Sequence, residues 1–328
     1  MSKFAVIGSN SFSGSSFIKY LLRNGHDVIG ISRSIEPDPV FLGYRREKLE
    51  NFSFHQLDLN KNLPEVSSVL GDYRADYIVN FAAQGMVAQS WEHPGDWFQT
   101  NTVATIKLHD ELRKFDWLKK YIHISTPEVY GSCEGHVLES QPFNPSTPYA
   151  VSRAAADMSL LSFIKAYNFP VVFTRAANVY GEHQQLYRII PRAILFFLTG
   201  KTLKLHGGGT SIRSFIHIDD VCKGTELAAI RGKTGDVYHF ATTQNISIRS
   251  LVELIAQELL VDFESNVEII GERLGKDAAY LLDCSLAQRN LSWQPEITLQ
   301  EGLERTKNWI RENIENLSEQ EQDYIHKP

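Results

Sequence analysis

Short apolar segments alternate with amphipathic stretches through the first half of the 328-residue chain. Helical patterns separate the later segments, notably at Trp97–Lys114 and Tyr149–Tyr167. Short strands alternating with helices predict βαβ units and therefore an α/β fold with a doubly wound parallel sheet. Ligands of such folds bind at the carboxyl ends of the strands. The predicted strands are Phe4–Ile7, Val28–Ile31, Phe52–His55, Tyr77–Asn80, Tyr121–Ile124 and Val171–Thr174.

The pattern is less regular after about Gly181, where a strand-like segment and three helical patterns follow. We predict that residues 1–181, with about 213–241, form a Rossmann domain that binds a dinucleotide. Residues 182–212 and 242–328 are predicted to form a smaller C-terminal substrate lobe. The polar composition from Ser318 onward predicts a tail that frays. The later segments are Arg188–Thr199, Phe215–Ile218, Ile248–Leu260 and Leu299–Asn313.

Composition excludes several classes of protein. The net charge is −6 and no basic stripe is present, which argues against a nucleic-acid partner. No apolar stretch is long enough to span a bilayer, so no membrane association is expected. The chain has 3 cysteines without CxxC spacing and 11 histidines without a cluster. We therefore expect a cytoplasmic protein without disulfides and without a metal site.

The segment from Gly8 to Gly14 lies between a predicted strand and a predicted helix. Backbone N–H groups and the positive end of a helix would meet a dinucleotide pyrophosphate there, although a plain β–α connection has a similar composition. Ser32 and Arg33 follow the second strand, where an NAD enzyme usually carries an acid for the ribose hydroxyl. A cation favours a 2′-phosphate, so NADP is slightly favoured over NAD unless Arg33 faces solvent.

Tyr149 and Arg153 are four residues apart in a helical pattern and therefore share one face. A phenol with a pKa of about 10 acts as a base near neutrality only when a cation stabilises its phenolate. Thr126 and Glu128 follow the strand that ends at Ile124, so they are expected at the carboxyl edge of the sheet. Taken singly, Tyr149 suits a packed aromatic and Glu128 a solvated loop acid. Together they indicate an oxidoreductase-type site.

These segments resemble the extended short-chain dehydrogenases. Gly8 to Gly14 resembles their GxxGxxG loop, with Ser11 in place of the middle glycine. Asp58 is similar to the acid that contacts adenine, and the segment from Phe81 to Gln84 to those beside the nicotinamide. The resemblance implies cofactor contacts at Gly8, Asn10, Ser11, Phe12, Gly14, Ser32, Arg33, Asp58, Leu59, Ala82, Ala83, Asn101, Tyr149 and Arg153.

A more specific resemblance covers nearly the whole chain. The segments 125–131, 148–153 and 175–181 look like those of nucleotide-sugar 4,6-dehydratases, with the dTDP-glucose and GDP-mannose enzymes most similar. Segments 189–191, 212–215 and 273–277 extend the similarity, so the predicted partner is a nucleotide-diphosphate sugar held by the C-terminal lobe. An arginine fork suits a diphosphate, although the arginines here equally suit surface ion pairs. The resemblance implies substrate contacts at Gln84, Asn178, Ile190, Arg213 and Arg273.

The resemblance implies a catalytic set of Thr126, Glu128, Tyr149 and Arg153. Tyr149 would take the proton of the sugar 4-hydroxyl as C4 is oxidised, and Glu128 would remove the C5 proton as water leaves C6. Hydride would then return to C6. The dTDP-glucose enzymes carry an aspartic acid at the position of Pro127, while the GDP-mannose enzymes also lack it.

Three other reactions remain open from the sequence: 4-epimerisation, decarboxylation and simple 4-dehydrogenation. Glu128 weighs against an epimerase, whose chemistry needs no base at C5. A catalytically weak cofactor-binding protein is a further alternative, because Arg153, Ser11 and Pro127 all depart from the family pattern. The resemblance also implies a homodimer formed through Trp97–Lys114 and Tyr149–Tyr167.

Overall fold

A parallel sheet of seven strands forms the centre of the protein. The structure is a computed structural model and describes residues 1–133, 135–271 and 281–328. The strands are β1 (Lys3–Ile7), β2 (Asp27–Ser32), β3 (Phe52–Gln56), β4 (Tyr77–Asn80), β5 (Lys120–Ile124), β6 (His136–Val137), β7 (Val171–Ala176), β8 (Asn178–Tyr180), β9 (Leu203–His206), β10 (Ile212–His217), β11 (Val237–Phe240), β12 (Asn245–Ser247), β13 (Val267–Ile270) and β14 (Leu281–Leu282).

Helices cover both faces of this sheet and continue into the second half of the chain. They are α1 (Phe12–Arg23), α2 (Leu63–Tyr73), α3 (Pro94–Phe98), α4 (Thr105–Leu112), α5 (Pro148–Tyr167), α6 (Ile189–Leu198), α7 (Ile218–Arg231), α8 (Ile248–Leu259), α9 (Phe263–Asn266), α10 (Ser285–Leu291), α11 (Leu299–Glu312) and α12 (Ile314–Glu319).

The strands of the central sheet lie in the order β11-β7-β5-β4-β1-β2-β3. The chain order reverses direction between β1 and β4, which is the switch point of a doubly wound sheet. Alternate residues of β1 pack into different cores: Phe4 and Val6 into one cluster, Ala5 and Ile7 into another. Both faces of the sheet are therefore buried, which explains why its strands are continuously apolar. The predicted α/β fold with a doubly wound parallel sheet is confirmed.

The predicted helix Trp97–Lys114 is only partly right. The chain forms α3, then a π-helical turn at Gln99–Ala104, then α4, which ends at Leu112. The wide turn holds Asn101, whose buried side chain bonds a neighbouring loop instead of continuing a regular face. Single π turns inside helices are rare and frequently lie at functional sites.

A second core lies beyond the sheet, built from α6, α8 and α11 with small sheets of two and three strands. The strand-like segment Phe215–Ile218 falls largely in β10, which pairs with β8 and β12 and not with the central sheet. After β10 the chain returns, and β11 pairs with β7. Within the described ranges, every helix falls short of the length and apolarity that crossing a membrane requires.

The prediction that the tail frays from Ser318 is wrong. Helix α12 continues to Glu319, and residues 320–328 then cross the molecule in contact with both the sheet and the second core. We call residues 320–328 the strap. Its contacts are made by aromatic and polar side chains far away in sequence, so a polar composition did not indicate them.

Candidate functional site

A cleft of about 1070 Å³ opens at the carboxyl ends of the central strands, between the sheet and the second core. Of the predicted residues, Gly14 and Asn101 lie behind its wall, and Arg273 falls outside the described residues. The predicted residues that line the cleft are Gly8, Asn10, Ser11, Phe12, Ser32, Arg33, Asp58, Leu59, Ala82, Ala83, Gln84, Thr126, Glu128, Tyr149, Arg153, Asn178, Ile190 and Arg213.

The loop between β1 and α1 is tightly packed. Gly8 has φ of +84°, and a Cβ there would lie 2.6 Å from the Ala82 nitrogen; a Cβ at Gly14 would lie 2.3 Å from the Gly8 oxygen. Ser11 needs no glycine geometry, since its φ is −73°. Its hydroxyl donates to the Gly8 carbonyl at 2.7 Å and accepts from the Gly14 N–H at 3.0 Å. Ser11 thus closes the loop and caps α1.

The start of α1 fits the pyrophosphate of a dinucleotide. Phe12 and Ser13 line the cleft in the first turn of this helix. Backbone N–H groups at that position have no acceptor within a helix, and the helix dipole favours a negative charge there. An anion placed against this turn would satisfy those donors, as in other nucleotide-binding folds.

The ends of β2 and β3 form the next part of the cleft. Asn10 ties the loop to the segment after β2, because its amide donates to the carbonyls of Ser34 and Ile35 at 2.9 Å each. Asp58 accepts from the Asn60 N–H at 2.8 Å and lies on the cleft wall. This side of the cleft therefore has fixed backbone and one carboxylate, which suits the adenosine half of a dinucleotide.

Asn101 acts from behind the cleft. Its amide accepts from the Gln84 N–H at 2.8 Å and donates to the Gln84 carbonyl at 3.0 Å. The same amide donates to the Ser152 hydroxyl at 3.0 Å, beside Arg153 on α5. Asn101 therefore positions the β4 loop against α5, and its buried side chain does not line the cleft. The π-helical turn is what presents it to both elements.

Thr126 and Glu128 are placed by a short 3₁₀ helix, Pro127–Tyr130, that follows β5. The Thr126 hydroxyl caps this helix by accepting from the Glu128 N–H at 3.3 Å. Pro127 is the first residue of the helix and is buried, a position where its missing N–H removes no helical bond. The helix packs against α5 and brings Glu128, half-buried, to the cleft wall.

Tyr149 and Arg153 come from the first turns of α5. Arg153 is buried, and one of its guanidinium nitrogens donates to the Ile124 carbonyl at the end of β5. Within the described ranges no carboxylate lies in ion-pairing distance of Arg153. An unpaired buried cation is unfavourable unless another negative group faces it, so this guanidinium is suited to a phenolate or to a bound anion.

The pKa of Tyr149 is raised above its usual value. Burial raises it most, and the nearby Glu128 carboxylate raises it further; Arg153 and a hydrogen bond with Thr126 lower it. Arg153 thus favours the phenolate, while burial and Glu128 act more strongly in the opposite direction. All four predicted catalytic residues interact within one small region of the cleft.

A buried ion pair holds α5, the helix that carries Tyr149 and Arg153, against β7. Asp157, on α5, accepts from Arg175 at 2.7 Å and from the Ser125 hydroxyl at 2.6 Å. Burial alone would raise the pKa of the Asp157 carboxyl, but Arg175 and His123 hold it well below its usual range. Ser125 directly precedes Thr126, so its hydrogen bond to Asp157 fixes the end of β5 against α5.

The sequence analysis missed several residues of the cleft. Arg188 lowers the pKa of Tyr149 by its charge and lies directly before α6, next to the motif that includes Ile190. The available signal in the sequence was that Arg188 directly precedes segment 189–191, which the family resemblance includes. Tyr324 and Lys327 of the strap also line the cleft, and no local pattern indicated them. The described residues show no cluster of three or more histidine, cysteine, aspartate or glutamate side chains suited to a metal.

The sheet, the glycine loop and the Tyr149 region define an enzyme of the short-chain dehydrogenase type. A family model described as "GDP-mannose 4,6 dehydratase" matches residues 6–306. The chain belongs to this family of nucleotide-sugar dehydratases. It is 32% identical to a dTDP-glucose 4,6-dehydratase of Streptomyces antibioticus over 321 residues, covering 94% of this chain and 92% of the relative.

Solved structures show the same relationship. A dTDP-glucose 4,6-dehydratase of Streptomyces venezuelae with NAD bound has a TM-score of 0.88 at 30% identity, covering 95% of this chain and 97% of that one. A UDP-glucose 4-epimerase of Thermotoga maritima has a TM-score of 0.87 at 25% identity, covering 95% and 99%. The fold is therefore shared by dehydratases and epimerases, and the side chains of the site must distinguish them.

Proposed function

We infer that the protein is a nucleotide-sugar 4,6-dehydratase and propose that Thr126, Glu128, Tyr149 and Arg153 are its catalytic residues. The observation that carries this assignment is the placement of Glu128 and Tyr149 side by side in one cleft, on elements that pack against each other, close enough for the carboxylate to raise the pKa of the phenol. Oxidation at C4 requires one base and elimination at C5 requires a second. The site has both.

The proposed reaction uses these residues in turn. A nicotinamide cofactor would supply the chemistry of accepting hydride from C4 and returning it to C6. Tyr149 takes the proton of the 4-hydroxyl, assisted by Arg153 and Thr126, whose interactions favour the phenolate. The 4-ketone acidifies the C5 proton, which Glu128 removes. The C6 hydroxyl group must then gain a proton to leave as water.

Glu128 is also the proposed donor of that proton. Pro127 lines the cleft but has no ionisable proton, so it cannot protonate the leaving group. Once Glu128 holds the C5 proton, it passes that proton to the departing hydroxyl group, either directly or through a water. One carboxyl group then serves as base and acid in sequence. As hydride returns to C6, C5 takes up a proton from solvent, and the proton that Tyr149 removed from the 4-hydroxyl returns to solvent, so the net change is the loss of one water.

A 4-epimerase is the second candidate, since an epimerase shares the fold. Epimerisation moves hydride only at C4 and needs no base at C5. The position of Glu128 in the cleft, next to Tyr149, favours elimination. We further propose that Gln84, Asn178, Ile190 and Arg213 contact the nucleotide sugar, because all four line the cleft.

The cofactor is a nicotinamide dinucleotide, as in the NAD-bound neighbour. The sequence predicts a preference for NADP because Ser32 and Arg33 offer a cation and no carboxylate to the ribose. In the structure the Arg33 guanidinium donates instead to backbone carbonyls of Lys327 and Pro328, at 2.8 and 2.6 Å. A preference for NADP therefore depends on the release of Arg33.

We also propose that the protein forms a homodimer. α3, the π-helical turn that follows it and α5 carry exposed apolar side chains, and exposed apolar patches commonly mark interfaces. The exposed apolar residues are Phe98, Val103, Val151, Met158 and Leu161.

We also propose the division into a dinucleotide domain (1–181 and about 213–241) and a sugar lobe (182–212 and 242–328). A cytoplasmic location is proposed as well.

The reaction is tested by incubating the protein with dTDP-, GDP- and UDP-activated hexoses and hexuronates and analysing the products by mass and by NMR. A dehydratase converts one of them to a product lighter by one water, the 4-keto-6-deoxy sugar nucleotide, without net consumption of cofactor. A product of unchanged mass with inverted C4 would establish an epimerase instead. Loss of carbon dioxide from a uronate would establish a decarboxylase.

Arg153 offers a prediction about pH. Its charge lowers the pKa of Tyr149, so Arg153→Met should raise that pKa and move the rise of C4 oxidation to higher pH. Arg153→Lys keeps the charge and should retain the wild-type profile. The measurement is the rate of C4 oxidation against pH for the three proteins. Equal profiles for the wild type and Arg153→Met would show that the guanidinium does not act on the phenol.

A further inference from the structure

We propose that Arg175 is a positioning residue that holds Glu128 at its working distance from Tyr149. This inference rests on the proposed dehydratase reaction. Arg175 lies on β7 with its side chain buried, and it does not line the cleft. It can therefore act on the reaction only through the residues that it binds.

The guanidinium of Arg175 joins three elements of the site. It donates to the Asp157 carboxylate on α5 at 2.7 Å and to the Ser125 hydroxyl after β5 at 3.4 Å. It also donates to the hydroxyl of Tyr130, and its central carbon lies 4.7 Å from the centroid of that ring. The rigid fork of an arginine carries several N–H donors, so one side chain fixes these partners relative to one another.

The contact with Tyr130 reaches Glu128. Tyr130 is the last residue of the 3₁₀ helix Pro127–Tyr130, and Glu128 lies in the same turn. The Glu128 carbonyl accepts from the Gly131 N–H at 3.0 Å, which links the two ends of this turn. A helix of one turn moves as a unit, so a displacement of Tyr130 also displaces Glu128.

The hydrogen bonds of Tyr130 have a defined direction. His239 Nε2 lies 2.8 Å from the Tyr130 hydroxyl, and His239 Nδ1 lies 3.1 Å from the Asp283 carbonyl. Burial and the charge of Arg175 lower the pKa of His239 to about 3, so the ring is neutral at neutral pH. A carbonyl only accepts, so Nδ1 carries the proton and Nε2 accepts from Tyr130. The Tyr130 oxygen in turn accepts from Arg175.

The contact with Asp157 ties Arg175 to the helix of Tyr149. Tyr149, Arg153 and Asp157 follow one another at intervals of four residues along α5 and share one face. The ion pair of Asp157 with Arg175 is buried at both ends. Removing one partner of such a pair leaves a buried charge and is strongly destabilising. The Tyr130 hydroxyl is therefore the end of this connection at which a substitution is best made.

The two chemical steps depend on this connection to different degrees. Oxidation at C4 uses Tyr149 and Arg153, both carried by α5. Elimination also needs Glu128 within reach of C5, and Glu128 is carried by the 3₁₀ helix. A displacement of about 1 Å can slow a step by about 10²-fold. Loss of the Tyr130 contact should therefore slow elimination and leave C4 oxidation close to the wild-type rate.

The test is Tyr130→Phe, which removes the hydroxyl and keeps the ring against Arg175. In single turnovers we expect elimination to slow by about 10–100-fold, so that reduced nicotinamide accumulates before product forms. Arg175→Lys keeps a charge beside Asp157 but lacks the fork, and it should also slow elimination more than oxidation. Tyr238→Phe is the matched control, because it removes the bond of another buried tyrosine, to Asp236 at 2.6 Å, outside the cleft.

The pH profile of C4 oxidation separates positioning from a general loss of structure. Burial and Glu128 raise the pKa of Tyr149, while Arg153 and Arg188 lower it. A Glu128 carboxylate that is held less firmly moves away from the phenolate, because like charges repel. The profile of Tyr130→Phe should therefore move to lower pH. Adding Tyr130→Phe to Glu128→Gln should move the profile no further than Glu128→Gln does alone.

Thermal unfolding checks that each variant is folded, and Tyr130→Phe and Arg175→Lys each test the inference independently. Equal slowing of oxidation and elimination, or wild-type rates for both, overturns the positioning role of Arg175. A pH profile that stays in place or moves upward in Tyr130→Phe overturns it as well. A wild type that oxidises C4 but never loses water contradicts the proposed function itself, and its pH profile still tests the role of Arg175.

Discussion

Glu128→Gln should oxidise the sugar at C4 and then stop, with reduced nicotinamide accumulating on the enzyme. Glutamine keeps the shape of the side chain but cannot take the C5 proton, and loss of a general base typically lowers a rate by about 10²–10⁴-fold. The measurement is single-turnover absorbance of the reduced nicotinamide, together with deuterium incorporation at C5 from heavy water. The wild type should incorporate deuterium and show no lasting reduced cofactor.

The same variant reports on Tyr149. The Glu128 carboxylate raises the pKa of that phenol, so Glu128→Gln should lower it and move C4 oxidation toward lower pH. Glu65→Gln, an exposed acid on α2, is the control and should behave as the wild type. Normal turnover by Glu128→Gln would reduce this residue to a loop acid. Product formation by the wild type without exchange at C5 would replace dehydration with a reaction confined to C4.

Tyr149→Phe should abolish C4 oxidation while leaving dinucleotide binding largely intact. The change removes one oxygen and little volume, and no other phenol among the described residues is paired with both Thr126 and Arg153. We expect a loss of about 10²–10⁴-fold in the oxidation rate, with calorimetry showing nearly unchanged cofactor affinity. Tyr167→Phe, at the exposed end of the same helix, is the control. Substantial oxidation by Tyr149→Phe would require a different base.

Much of the central sheet was predictable because its strands are buried on both faces and carry uninterrupted apolar runs. β4 matches its predicted bounds, and β1, β2, β3, β5 and β7 begin or end within two residues of them. The residues that line the cleft were also largely predictable, since parallel strands bring their carboxyl ends to one edge. Ser11 was treated only as a departure from the glycine loop, although a serine before a helix is a common cap and the structure uses it as one.

The remaining features depend on contacts between distant parts of the chain. His326 is held by Asp96 and Trp97, more than 200 residues away, and nothing in the strap's own composition indicates this. Arg188 affects Tyr149 only because α6 starts beside the cleft. The π-helical turn interrupts the periodic helical pattern at the point where the buried amide of Asn101 bonds Gln84 and Ser152. Such features arise from tertiary packing, which overrides local preference.

The π-helical turn also limits how this chain can change in length. A π-helical turn closes with i→i+5 hydrogen bonds, so it holds about one residue more than the same turn of an α-helix. Deleting one residue within Gln99–Ala104 would therefore let this turn close as regular α-helix, with α3 and α4 keeping nearly the same faces toward the core. The change would fall on Asn101, whose amide would lose the position from which it bonds both Gln84 and Ser152. Homologues that lack the extra residue should therefore lack these two contacts as well.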